Sequence, residues 1–120
     1  MYQTPLLKTI FNIMSHQMKL IPSSLSSKQV KHLRALAHSI KPLLLVGKNG
    51  ITDTFIKQTQ KTLEDHELVK VKIIPTSSEI IKDVAEVLAK SVPCHIAQKI
   101  GKTIVIYNQR EKDPVIVLPK

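Results

Sequence analysis

Lys41-Pro42-Leu43-Leu44-Leu45-Val46-Gly47-Lys48-Asn49-Gly50-Ile51-Thr52 is the stretch on which the fold turns. Pro42 cannot continue a helix, because its ring removes the backbone donor and clashes with the preceding turn. The aliphatic run Leu43 to Val46 then reads as a buried strand. Gly47 and Gly50 bracket a short loop, and both are expected to allow backbone that a side chain would forbid. Thr52 is a helix cap in waiting, because its hydroxyl can accept from a free N–H of the next turn. A strand, a glycine loop and a capped helix therefore follow one another within a few residues.

Working outward, Ser26 and Ser27 are N-cap candidates for a helix running to about Ser39. At about 100° per residue Val30, Leu33, Ala37 and Ile40 form one stripe, while Lys28, Lys31, Arg34 and His38 occupy the opposite arc. The helix after Thr52 spans roughly residues 53–65, with Ile56, Thr59 and Leu63 inward. Leu68 to Ile74 alternates, placing Lys70 and Lys72 on one face of a strand and Val69, Val71 and Ile73 on the other. A third helix is predicted from Ser78 to Lys90 on Ile81, Val84, Val87 and Leu88. His95 to Ile100 and Thr103 to Tyr107 flank Gly101-Lys102, a hairpin connection. A last short edge strand is expected at Val115 to Leu118, between Pro114 and Pro119. The order is α-β-α-β-α-β-β, an α/β (α+β) chain whose sheet is partly parallel, with right-handed crossovers.

With 120 residues and 42% apolar content the chain suits a single domain. Eighteen Lys and Arg oppose nine Asp and Glu. Residues 1–63 hold nine of the basic residues and one acid, Asp53, so nearly all the net charge of +9 lies in the first half. That asymmetry points to a polyanionic partner. The lone cysteine, Cys94, cannot form an intrachain disulfide and is expected to be a buried, inert thiol. No run is long enough to span a membrane. Residues 1–24, which contain no acid, are expected to form a poorly ordered extension outside a domain spanning 25–120.

The loop Gly47-Lys48-Asn49-Gly50 opens onto a helix N-terminus, where free N–H groups and the helix dipole favour an anion. Lys48 adds a full positive charge at its tip. A nucleic-acid phosphate suits this arrangement, as in the loops of the same GxxG pattern that clamp RNA in KH domains. Lys28, Lys31, Arg34 and His38 precede the loop, Lys41 flanks the strand, and Lys57 and Lys61 lie on the exposed side of the next helix. Packed beside the loop, these would neutralise about five or six phosphates and give a log–log salt slope near −4 to −5.

Catalytic readings fail on spacing. Gly101-Lys102-Thr103 imitates the end of a Walker A loop, but Ile96 stands where that loop needs glycine, and a strand follows. His32 and His38 point to different helix faces, so no metal site is expected. The carboxylates of Glu64-Asp65-His66-Glu67 are expected to be solvated at a helix end. No nucleophile has a base at a suitable spacing. Neither enzymatic activity nor a cofactor is expected. Phe55 is assigned to the core, and Tyr107 to packing in preference to stacking on a base.

Leu25-Ser26, Lys28-Gln29, His32-Leu33, Leu36-Ala37-His38, Lys41-Pro42, the glycine loop, His66-Glu67-Leu68-Val69-Lys70-Val71-Lys72, Ile100-Gly101-Lys102-Thr103 and Tyr107 together resemble the CRM domain, in its stand-alone bacterial YhbY-type form. The resemblance covers about residues 25–118. It implies a four-stranded mixed sheet with helices, similar to the C-terminal domain of translation initiation factor 3. It further implies RNA binding through the GxxG loop and adjacent basic surface, ribosomal RNA and precursors of the large ribosomal subunit as partners, and no catalysis. A cytoplasmic, monomeric protein fits that role. The competing expectation is a protein-interaction module whose basic face docks an acidic protein.

Overall fold

A computed structural model describes residues 19–120. In chain order these form α1 (Ser27–Ala37), β1 (Leu44–Val46), α2 (Asp53–His66), β2 (Leu68–Ile73), α3 (Ile81–Ser91), β3 (His95–Ile100) and β4 (Thr103–Tyr107). One sheet runs in the order β1-β2-β4-β3, with β1 and β2 parallel and the other neighbours antiparallel. The expected element order and mixed four-stranded sheet are both present.

Local chemistry sets the starts of the first two helices. Ser26 caps α1 in a capping box with Gln29: its Oγ accepts from Gln29 N at 3.2 Å, and Gln29 Oε1 accepts from Ser26 N at 3.0 Å. Thr52 caps α2 by accepting from Phe55 N at 3.1 Å. α3 starts later than predicted, because Ser77 holds the preceding turn by accepting from Glu79 N at 3.2 Å and Ile80 takes the cap position with no side-chain bond.

The strands sort their side chains to two faces. Val46, Val69, Val71, Ile73, Ile104 and Ile106 pack against Phe55 and Leu63 of α2 and Val84, Ala85 and Leu88 of α3. Each buried aliphatic contributes about 1.5–3 kcal/mol. On the other face Leu68, Ala97, Val105 and Tyr107 lie under Leu33 and Ala37 of α1. The single helix α1 thus covers part of one side of the sheet, and α2 with α3 cover the other. A register shift between Ile96 and Gln98 marks a bulge at Ala97, whose carbonyl accepts from Arg34 Nε at 2.9 Å.

Several expectations change. Strand β1 is buried on one side only: Leu43 and Leu45 are 53% and 57% exposed, because α1 does not extend over them. Val87 is outside the core, and Ala85 takes its place. No strand forms at Val115–Leu118. The N–H groups of Val115 and Ile116 instead donate to Glu67 Oε1 at 2.9 and 2.8 Å, and Arg110 N donates to Glu67 Oε2 at 2.9 Å. Glu67, expected to be solvated, is completely buried, with its φ at 64°.

Of the expected N-terminal extension, residues 1–18 lie outside the described residues. Residues 19–22 bond to the domain. Ile21 N donates to Asn108 Oδ1 at 2.7 Å, Asn108 Nδ2 donates to Lys19 O at 2.8 Å, and Gln109 N donates to Ile21 O at 2.8 Å. The packed unit therefore begins before Leu25. His95 Nε2 donates to Pro22 O at 2.6 Å, and burial lowers the His95 pKa despite that bond, so the neutral ring is the favoured form.

Candidate nucleic-acid interface

Strands β1 and β2 are parallel, so the segments leaving their carboxyl ends lie side by side. The first is the loop at residues 47–50; the second is the turn at residues 74–80. Ile74 N donates to Val46 O at 3.0 Å, joining the two at their base. Gly50 N donates back to Gly47 O at 3.1 Å, which folds the loop into a tight turn and leaves Lys48 and Asn49 exposed at its tip.

The two glycines are not equivalent. Gly50 has a φ of 67°, and a Cβ there would sit 2.8 Å from the Glu79 carboxylate. Gly47 is in ordinary backbone, and the nearest atom to an added Cβ is Ile74 Cδ1 at 3.9 Å. Only Gly50 is required by the turn itself. Its missing side chain makes room for a carboxylate of the protein, and no local signal in the sequence marks Glu79 as a neighbour of the loop.

The N-terminus of α2 is less open to an anion than expected. Thr52 occupies one of its free N–H groups, and Asp53 places a carboxylate in the first turn. Lys48 therefore carries the charge of the loop itself, while Lys72 and Lys102 are exposed at the same end of the sheet, where Ile73 N donates to Lys102 O at 2.8 Å.

The other basic residues expected at the site separate into two sets. Lys28, Lys31, Arg34 and His38 are exposed on the outer side of α1, over one face of the sheet, and Lys41 is exposed where the chain enters β1. Lys57 and Lys61 are exposed on α2, over the opposite face, and Lys61 pairs with Asp65 at 3.3 Å. The two helices do not merge into one basic patch beside the loop. Arg34 is partly committed to the Ala97 carbonyl.

Tyr107 is completely buried and stacks on His95 with ring centroids 6.3 Å apart, so it offers no platform for a base. Burial and the Glu67 carboxylate push its hydroxyl up to about 12. Burial likewise raises the Cys94 thiol to about 12, the chemistry of an unreactive core cysteine. Among the described residues no group of three or more His, Cys, Asp or Glu side chains could hold a metal, and no helix is long and apolar enough to cross a membrane. An open cleft of about 310 Å³ lies at the far end of the sheet from the glycine loop. Its lining mixes both signs, with Lys19, Arg110 and Lys112 beside Glu64, Asp65 and Glu111, which is poor chemistry for a polyanion.

Known proteins share this architecture. The family model described as the CRS1 / YhbY (CRM) domain matches residues 25–108. The Probable RNA-binding protein YqeI of Bacillus subtilis is 41% identical over 95 residues, 79% of this chain and 99% of that protein. A protein of Haemophilus influenzae named RNA-binding protein is 31% identical, over 82% of this chain and 98% of its own length. The solution structure of SAV1595 from Staphylococcus aureus superposes with a TM-score of 0.68 at 40% identity, covering 80% of this chain and all of the other.

Proposed function

The chain belongs to the CRS1 / YhbY (CRM) domain family, and on that premise we propose that it is a non-catalytic RNA-binding protein of the cytoplasm. In this reading it associates as a monomer with large-subunit ribosomal RNA precursors and assists their assembly. The observation that carries the proposal is the Lys48-Asn49 tip, held out from the sheet by the Gly47–Gly50 turn. A compact ammonium on an exposed turn attracts a phosphate strongly. Lys28, Lys31, Arg34, His38 and Lys41 extend the positive surface toward α1, so that successive phosphates of one strand find partners. The relatives in Bacillus subtilis and Haemophilus influenzae carry RNA-binding names and support the RNA-binding part of this reading.

The test is a map of RNA crosslinked to the protein in cells, wild type against Lys48→Asp with Asn49→Asp. The double change sets two carboxylates where the phosphate rests and keeps both glycines. Crosslinks concentrated in large-subunit ribosomal RNA, and lost in the variant, are the expected result. Crosslinks undiminished in the variant would remove the loop from the interface. A wild-type protein with no ribosomal RNA crosslinks and a nuclease-resistant protein partner would replace the proposal with a protein-docking role.

A further inference from the structure

The glycine loop and the basic side of α1 are separated by bare sheet. Strand register sets Leu45, Lys72, Thr103 and Ile100 in one row across all four strands. The next row toward α1 contains Lys70 and Val105, with Leu43 joined to it through Leu43 N donating to Lys70 O at 3.1 Å. Val105 of that row is already buried against α1, as are Leu68 and Tyr107 of the row beyond, so the uncovered surface is the Leu45 row with Leu43 and Lys70 beside it. At about 4.8 Å between strands the first row spans about 14 Å.

This surface is unusual in composition. Leu43 and Leu45 are 53% and 57% exposed at the β1 edge of this face and Ile100 is 60% exposed at its β3 edge, so exposed aliphatics flank both sides of the row. Lys70 and Lys72 stand between them, about 6.6 Å apart along β2. No Asp or Glu occurs in residues 41–46, 68–73 or 95–107, nor in α1. The face combines apolar edges with unopposed positive charge. A strand laid over this face from Lys48 toward α1 crosses it.

We propose that this bare half-sheet is a binding surface for unpaired RNA, with Lys70 and Lys72 on phosphates and Leu43, Leu45 and Ile100 against bases and riboses. The proposal rests on the RNA-binding reading above and deepens it by naming the form of RNA. A duplex hides its base faces and would leave the aliphatic edges without a partner. Aliphatic contact discriminates poorly among bases, so the preference is for unpaired strands over duplex more than for a sequence.

Binding of the full chain to a labelled oligouridylate of about 16 nucleotides, against a blunt RNA duplex of equal length, tests this. Lys70→Gln with Lys72→Gln keeps the aliphatic stems at accessible positions, and circular dichroism checks the fold. The expected result is tighter binding of the unpaired strand by wild type. The double variant loses that preference, and its log–log salt slope falls by about 1.4, since each phosphate contact on a single strand contributes about 0.7. Leu45→Ser with Ile100→Ser should weaken binding severalfold at unchanged slope. An unaltered slope and affinity in the lysine variant, while Lys48→Asp with Asn49→Asp abolishes binding, would overturn the sheet surface and leave the loop reading intact. Equal binding of the duplex would overturn the unpaired-strand assignment. If the Leu45→Ser, Ile100→Ser variant instead converts a dimer to a monomer with RNA affinity unchanged, the face belongs to a second copy of the chain. Failure of wild type to bind either RNA would sink the underlying reading.

Discussion

Gly50 and Gly47 occupy one motif but answer to different constraints. Gly50 needs its φ of 67°, whereas Gly47 does not leave ordinary backbone. An alanine at 50 pays the left-handed penalty of about 1–2 kcal/mol. It also displaces the Glu79 carboxylate, which sits at the end of a flexible side chain and adds little. Urea denaturation should show Gly50→Ala destabilised by that amount and Gly47→Ala within about 0.5 kcal/mol of wild type. Equal losses at both positions would mean that the turn constrains them alike. The glycine pair and Lys48 were legible in sequence because a turn is a local event. Glu79 was not, because its approach to Gly50 depends on two parallel strands delivering separate segments to the same edge.

At the scale of elements, Glu67 joins the end of α2 to the chain after β4. Its carboxylate accepts from Arg110, Val115 and Ile116, three backbone donors of a segment without regular structure. Hydrogen bonds to a charged acceptor are worth about 1.5–3 kcal/mol each, and their loss leaves donors unpaired. Glu67→Ala should therefore cost at least about 3 kcal/mol in chemical denaturation and expose residues 109–120 to protease. Glu67→Gln, which keeps the shape and one accepting oxygen, should cost less. Intact protease resistance in the alanine variant would show that the segment is held by Ile116 and Leu118 against the α1 side of the core instead. Sequence periodicity found β2 and the β3–β4 hairpin because alternation is carried by each strand alone. It misread Glu67 and Val115–Leu118, since acids at helix ends are usually solvated and short aliphatic runs usually pair.

For the molecule as a whole, the sheet divides the basic charge. Lys28, Lys31, Lys70 and Lys72 share one side, while Lys57 and Lys61 lie behind it. A single RNA strand on the α1 side cannot also engage α2. Lys28→Ala with Lys31→Ala should lower the salt slope for single-stranded RNA by about 1.4, and Lys57→Ala with Lys61→Ala should leave it unchanged. The reverse pattern in a salt titration would move the interface to the α2 face. What the amino-acid sequence determined by itself was the order and type of the elements, the Ser26 and Thr52 caps, the alternation of Lys70 and Lys72, and the excess of charge. Each of these depends on neighbours within a turn or a strand. Only the tertiary structure decided that α1 stops short of Leu43 and Leu45, that its basic side and the loop are separated by open sheet, and that Glu67 is a buried anchor. Those outcomes depend on where α1 crosses the sheet, and a helix's periodicity says which side it buries but not which rows of strand it will cover.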